Sequence, residues 1–523
     1  MTGAEHHAVA HGTFVLTEHL PALVIMVPLL MAPLAVMANN RRLAWGLFVA
    51  ASWFSLYASY TLLQEVMTHG PISYQLGGWE PPWGIEFRVD MLNAFVLLIV
   101  SGIGAIISAY ALQSVDSEIE DEQQPLFYAA MLLCLAGLMG VAITGDAFNL
   151  FVFLEISSLS TYALIAMGAG RDRRALTASY TYLIMGTVGA TFYVIGLGLI
   201  YAQTGTLNMA DLATRLPEVY GTRTVIVAFV FITVGFGLKL AMFPLHLWLP
   251  NAYTFAPSVV TAFLAATATK VAVYALLRVI FTIFGVELTI ETAFFTYFLL
   301  PLGLIGMFAG SIVAIWQVNA KRLLAYSSIA QIGYMLLGLS FMSATGLTAT
   351  LLHLFNHALM KGALFLALGA VAYRLGGTTL DKMAGLGKTM PWTMAMIVAG
   401  GLSLIGVPLT VGFISKWVLI EAAIEQGWWP VAALIVLSSM LAVIYVWRLV
   451  EVAYLKPAPA GVERREAPLG LLIPTALLVV ANIYFGINAT FTMEVADLAA
   501  QSLIGVDLAE PGGMMDFFGE EME

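Results

Sequence analysis

Apolar stretches of about 20 residues, the length that crosses a bilayer core as a helix, recur along the whole 523-residue chain and are separated by short polar breaks. Each is a continuous apolar run, and in hydrocarbon a backbone must satisfy its own hydrogen bonds, which a helix does within one segment. Fourteen segments meet the length criterion, at approximately 20–37, 43–66, 91–112, 126–143, 148–167, 176–201, 224–249, 258–284, 294–316, 323–341, 347–373, 392–424, 429–454 and 469–485. Composition agrees: 60% of residues are hydrophobic and 10% charged, where a soluble domain carries roughly 25% charge. A single soluble core rarely exceeds about 250–300 residues, so the length reflects many spans in one integral membrane domain. The expected fold is all-α.

The formal net charge of −10 does not point to an acidic partner surface, because much of it comes from the end after Asp507 and the loop Asp116 to Glu122. Nucleic acid is excluded as a partner. Cys134 is the only cysteine and sits in an apolar run, so no disulfide framework or thiolate metal site is expected. The opening stretch MTGAEHHAVAHG has no basic region ahead of the first apolar run, and no cleavable signal is expected there.

Cytoplasmic loops retain positive charge. One set of alternate loops holds 13 basic residues: Arg41, Arg42, Arg171, Arg173, Arg174, Lys321, Arg322, Arg374, Lys382, Lys388, Lys456, Arg464 and Arg465. The opposite set holds 3, Arg88, Arg215 and Arg223, and the remaining 6 of 22 lie within or at the ends of spans. Both termini are therefore expected on the non-cytoplasmic side of the plasma membrane. The acidic loop Asp116 to Glu122 is cytoplasmic in this arrangement, which acidic residues do little to oppose.

An ionisable side chain at mid-membrane costs about 2.5–3.5 kcal/mol on insertion scales and marks function by default. Glu155 lies in FNLFVFLEISSLS, Lys239 in GFGLKLAMFPLHLWLP, Lys270 in AATATKVAVYALL and Lys416 in GVPLTVGFISKWVLI. His353, His357 and Lys361 are spaced four apart in LLHLFNHALMKGALFL, which places them along one helix face. Each has a plainer explanation. A lysine near a helix end snorkels to the interface, as Lys361 in particular could, and the histidines could hydrogen-bond across helices as packing glue. Arg278 and Arg448 lie near span ends and read as interfacial anchors. Glu155 resists a plain explanation, since a carboxylate among Phe and Leu needs a cationic partner.

Taken together, a glutamate, several lysines and two histidines in different spans describe a proton relay. Desolvation favours the neutral form of an amine or carboxyl and an opposite charge favours the ionised form, so a proton moves when a partner moves. Histidine, titrating near neutrality when unperturbed, suits the intermediate steps. If Glu155 pairs with Lys239, opening that pair drives the proton onward. No cofactor and no metal are needed.

Pro244 follows Lys239 by five residues and Pro408 precedes Lys416 by eight, each near glycines. Proline removes a helical hydrogen bond, and paired breaks in two halves of a membrane protein point to transport sites built from repeats. The reversed order of Lys and Pro fits an inverted repeat, though ordinary kinks would leave the same residues.

FNLFVFLEISSLSTYALIA, GLKLAMFPLHLWLPNAYTFAPSVVTAFLAATATK, KRLLAYSSIAQIGYMLLG, HLFNHALMKGALFLALG and PLTVGFISKW resemble the antiporter-like subunits shared by respiratory complex I, membrane-bound hydrogenases and Mrp-type multisubunit Na+/H+ antiporters. The resemblance covers nearly all the spans. It implies two inverted five-helix repeats, about 126–284 and 294–454, with peripheral helices at 20–112 and 469–485 and with the seventh and twelfth spans broken. It also implies that Glu155 pairs with Lys239, that Lys270, His353 and His357 continue a central hydrophilic axis, and that Lys416 ends it.

Within that group, one complex I subunit has glutamate where Lys416 stands. The largest members carry a long lateral helix or further spans, for which the 38 residues after Phe485 leave little room. The outer segment QLGGWEPPWGIEFRVD is most similar to the D-type subunits of the Mrp group. The expected role is that of a non-enzymatic, proton-translocating subunit that exchanges protons for Na+ alongside other membrane subunits; Asp146 is a speculative Na+ contact. The alternatives are a proton-pumping subunit of a quinone oxidoreductase or hydrogenase and, less well supported, a stand-alone solute symporter, which would need neutral groups where these lysines lie.

Overall fold

The computed structural model describes residues 16–285, 294–458 and 465–505. The MTGAEHHAVAHG stretch, Arg464 and the acidic end after Asp507 lie outside the described residues.

Twelve described helices are long and apolar enough to cross a membrane. The segments expected as seventh and twelfth spans each divide in two: Arg223–Lys239 with Leu249–Phe255, and Pro391–Ile405 with Val411–Glu425. Proline alone does not cause these breaks, because Pro28, Pro33 and Pro474 sit inside continuous helices. What distinguishes the breaks is backbone in the left-handed region, at Ala241 (φ +61°) in the first and at Gly406 (φ +92°) and Leu409 (φ +72°) in the second.

Side chains fix where the helices begin. Asp90 accepts from the Asn93 amide at 3.1 Å while the Asn93 side chain accepts from the Asp90 amide at 2.8 Å, so each satisfies an otherwise orphaned donor. Asp146, Asn319 and Ser343 cap the next helices in the same manner, accepting from Asn149, Arg322 and Gly346. Helices then approach closely where glycine removes a side chain. A Cβ on Gly137 would lie 2.6 Å from the Ser157 backbone nitrogen, which presses the Gln124–Ile143 helix against Ala147–Ala166, the helix that bears Glu155.

The 32-residue helix Ala344–Leu375 forms the axis of the molecule. At about 1.5 Å per residue it runs about 48 Å, and its most apolar stretch is wholly buried. Val411–Glu425, Ser258–Ala266, Ala320–Ser340 and Leu469–Ile487 pack around it. Phe95 stacks on Phe355 at 5.5 Å, and the Tyr110 hydroxyl donates to the Leu366 carbonyl at 2.9 Å.

Three elements depart from the sequence expectation. The span expected at 258–284 is interrupted at Thr267 (φ −125°, ψ −56°), which separates Ser258–Ala266 from Ala268–Leu277, and it ends in a π-helical turn, Arg278–Ile283. Within the outer segment, Glu86–Val89 pairs antiparallel with Ile72–Gln75. After the last span a further helix, Thr490–Ile504, packs on the axis, where the Thr348 hydroxyl donates to Asp497 at 3.1 Å.

Candidate functional site

The side chains singled out in the sequence lie inside the bundle. Lys239, Lys270, His353, His357, Lys361 and Lys416 are between 0% and 8% exposed, which removes interfacial snorkelling as an account of any of the lysines. Glu155 is different: its side chain is 24% exposed, so this end of the set opens on the molecular surface.

Lys239 is the last residue of its half-helix. Its ammonium lies 3.3 Å from Glu155 Oε1 and donates to the Ser158 hydroxyl at 2.7 Å. Glu155 and Ser158 are three apart on one helix and so share a face. The break that follows is tied back to the same helix end, where the Trp248 indole donates to the Leu238 carbonyl at 2.9 Å and the Met242 amide to Gly237 at 2.9 Å. The carboxylate required by a buried ammonium is therefore present.

The other three lysines are held differently. Lys270 donates to the Ala265 carbonyl, beside the Thr267 interruption, and to the Thr269 hydroxyl at 3.3 Å. Lys361 donates to the Leu324 carbonyl at 2.7 Å and to the Ser327 hydroxyl. Lys416 reaches from the second half of its broken span to the last carbonyls of the first half, Leu404 at 2.8 Å and Ile405 at 3.0 Å. Those carbonyls belong to the negative end of a helix and lack intrahelical donors. All these partners are neutral, so none of the three amines is neutralised by a carboxylate in the way Lys239 is.

The histidines sit between these lysines. Their rings stack at 6.0 Å, and His353 Nδ1 is 2.9 Å from the hydroxyl of Ser415, the residue before Lys416. The Tyr334 ring touches both groups, 5.7 Å from the His353 ring and 4.9 Å from the Lys416 ammonium. Lys270 is within electrostatic reach of His353, His357 and Lys361. The structure thus brings Lys270, Lys361, His357, His353 and Lys416 into one buried group and Glu155 with Lys239 into another. Among the described residues no hydrogen bond or ion pair joins the two groups directly.

Arg278 is not the interfacial anchor expected from its position. It is buried and grips Asp90 with two nitrogens, at 2.7 and 2.8 Å, and its Nε donates to the Tyr274 hydroxyl at 3.3 Å. Sequence reasoning missed this pair because 188 residues separate its members; the only local signal was an Asp positioned to cap a helix. Arg448 is half-buried and donates to the Gln317 carbonyl at 3.2 Å. Asp146, a speculative cation contact, serves as a helix cap.

Residues 144–442 match the family described as NADH:quinone oxidoreductase/Mrp antiporter, TM. The chain is 42% identical over 488 residues to NADH-quinone oxidoreductase subunit N of Desulforudis audaxviator, covering 90% of this chain and 96% of that protein. It is 32% identical over 484 residues to the D-type subunit of the Na(+)/H(+) antiporter of Bacillus subtilis, covering 92% and 96%. It also superimposes on a chain of the Mrp complex from Dietzia sp. DQ12-45-1b with a TM-score of 0.84 at 28% identity, covering 94% of this chain and 98% of that one. With a helical membrane fold, two broken spans and a Glu155–Lys239 ion pair, this chain belongs to the NADH:quinone oxidoreductase/Mrp antiporter transmembrane family.

Proposed function

We propose that the chain is the proton-translocating subunit of a multisubunit monovalent cation/proton antiporter and exchanges external protons for internal Na+ together with partner membrane subunits. One observation carries this reading. A carboxylate–ammonium pair near the surface is followed inward by amines and imidazoles whose hydrogen-bond partners are neutral. A charge held by carbonyls and hydroxyls is solvated without being cancelled, so the charge state of one site changes the energy of the next. Opening the Glu155–Lys239 pair removes the only carboxylate on Lys239 and raises the tendency of its proton to move on. His357 and His353 then link Lys270 to Lys416. The two broken spans support the division into repeats at about 126–284 and 294–454. The distribution of Lys and Arg supports termini on the non-cytoplasmic side.

The test is exchange in everted vesicles with Glu155→Ala and Lys239→Ala. The expected result is loss of proton-coupled cation exchange in complexes that still assemble; an assembled variant with full exchange overturns the relay. The 42% identity to a quinone oxidoreductase subunit favours a second reading, in which the same relay pumps protons driven by redox chemistry in other subunits. Co-purification separates the two: peripheral iron–sulfur proteins support the redox-driven complex, and small membrane subunits support the antiporter.

A further inference from the structure

At the end of the bundle that carries Lys321, Arg322, Lys382 and Lys388, a cleft of about 250 Å³ opens beside the last turns of the Trp429–Val450 helix and its π-helical continuation Glu451–Leu455. Its opposite wall is formed by two chain segments that pair at Asn319 and Thr379, where the Leu380 amide donates to the Val318 carbonyl at 2.9 Å. The cleft is therefore built from fixed backbone, and its size lies just below the range of about 300–1,000 Å³ usual for drug-sized ligands, which suits a group no larger than a lipid headgroup.

Four charged side chains line it, two of each sign: Arg448 and Lys456, Asp381 and Glu451. Among the described residues none of the four forms an ion pair. Arg448 lies in the last turn of the α-helix and Lys456 directly after the π-helical turn, and both cations line the cleft. Arg448 lies inside the span and Lys456 just past its end, so the cleft lies at the end of the span, the level at which lipid headgroups sit. Trp447 and Leu455, which neighbour these residues on the same helix, are exposed, as is Trp316 at the end of an adjacent span. Exposed tryptophans at such a level mark the membrane interface.

We propose that this cleft binds the headgroup of a zwitterionic phospholipid bearing a primary amine, with its phosphate against Arg448 and Lys456 and its ammonium against Asp381 and Glu451. A free anion would be opposed by two carboxylates and a free cation by two basic groups; a phosphate–amine zwitterion satisfies both pairs. The exposed apolar side chains beside the cleft supply the surface along which the acyl chains lie. The site is independent of the proton relay.

The test uses the full-length chain purified with its co-purifying subunits, delipidated and supplied separately with phosphatidylethanolamine, phosphatidylcholine and phosphatidylglycerol, with retention read by native mass spectrometry. Phosphatidylethanolamine is expected to be retained best. Phosphatidylcholine has the same charges but no N–H donor for the carboxylates, and phosphatidylglycerol has no amine. The double variant Arg448→Gln/Lys456→Gln is expected to lower phosphatidylethanolamine retention at least about tenfold, and soluble phosphoethanolamine should not displace the lipid at equal concentration. Equal retention of the three lipids, or unchanged retention in the double variant, overturns the proposal. Loss of a partner subunit in place of lipid assigns the cleft to a protein contact and equally overturns it. Displacement by soluble phosphoethanolamine at equal concentration overturns the lipid in favour of a free zwitterion.

Discussion

The Glu155–Lys239 pair makes a prediction with two separable readouts. At 3.3 Å and an effective dielectric constant of about 20, the attraction between unit charges is about 5 kcal/mol. That figure is a ceiling: with the carboxylate side chain 24% exposed, solvent screens it, and a coupling of about 0.5–3 kcal/mol is expected for two groups in contact. A double-mutant cycle with Glu155→Gln, Lys239→Gln and both together isolates that term. In thermal unfolding of the assembled complex each single variant should be destabilised, and the double should be more stable than the sum of the singles predicts. Exchange in everted vesicles should behave in the opposite manner, abolished in each single variant and not restored in the double, because restoring electrostatic balance does not restore a proton carrier. If the double variant recovered exchange together with stability, the pair would be a structural tie and the relay reasoning would fail.

The other predictions concern single contacts. Lys416→Met removes two hydrogen bonds to helix-end carbonyls but also removes a buried ionisable group, so the net stability change should stay within about 2 kcal/mol while exchange falls sharply; failure to assemble would assign the lysine to structure. Gly137→Ala places a methyl 2.6 Å from the Ser157 backbone nitrogen, which cannot yield, and should cost about 1–3 kcal/mol, read as a lower unfolding temperature. Asp90→Asn strands the buried Arg278 guanidinium and should cost about 3–5 kcal/mol; Asp90→Asn with Arg278→Gln should recover part of that, checked by the same melt. Ser158→Ala removes the 2.7 Å partner of Lys239 but keeps the carboxylate, so exchange should be slowed several-fold without being lost.

The spans were legible because hydrophobic runs of bilayer length admit few alternatives. The buried ionisable residues were legible because each is an isolated charge in such a run. The cost of a lone carboxylate called for a cationic partner of Glu155, the family resemblance implied that the partner is Lys239, and the two do pair. The breaks were partly legible: Pro244 and Pro408 lie at them, yet Pro28, Pro33 and Pro474 break nothing, and the positive φ at Ala241 and Leu409 has no local sequence signature. The Thr267 interruption was invisible for a related reason, since nothing in AATATK forbids a continuous helix; it becomes intelligible only once Lys270 is seen donating to the Ala265 carbonyl. Arg278 was misread because proximity to a span end suggests water, whereas its partner Asp90 arrives from a distant part of the chain. The helix Thr490–Ile504 is too short and too polar to register as a span.

A protonated lysine has three hydrogens to give, and Lys416 commits two of them to the ends of another helix while its charge faces the Tyr334 ring. A neutral amine still has two. The side chain can therefore surrender a proton and keep both carbonyls satisfied, so the joint between the half-helices stays closed in either state. What changes is strength and not connectivity: both carbonyl bonds lose their charge assistance and the attraction to the aromatic face falls away, so the helix end and the ring together feel whether the site is loaded.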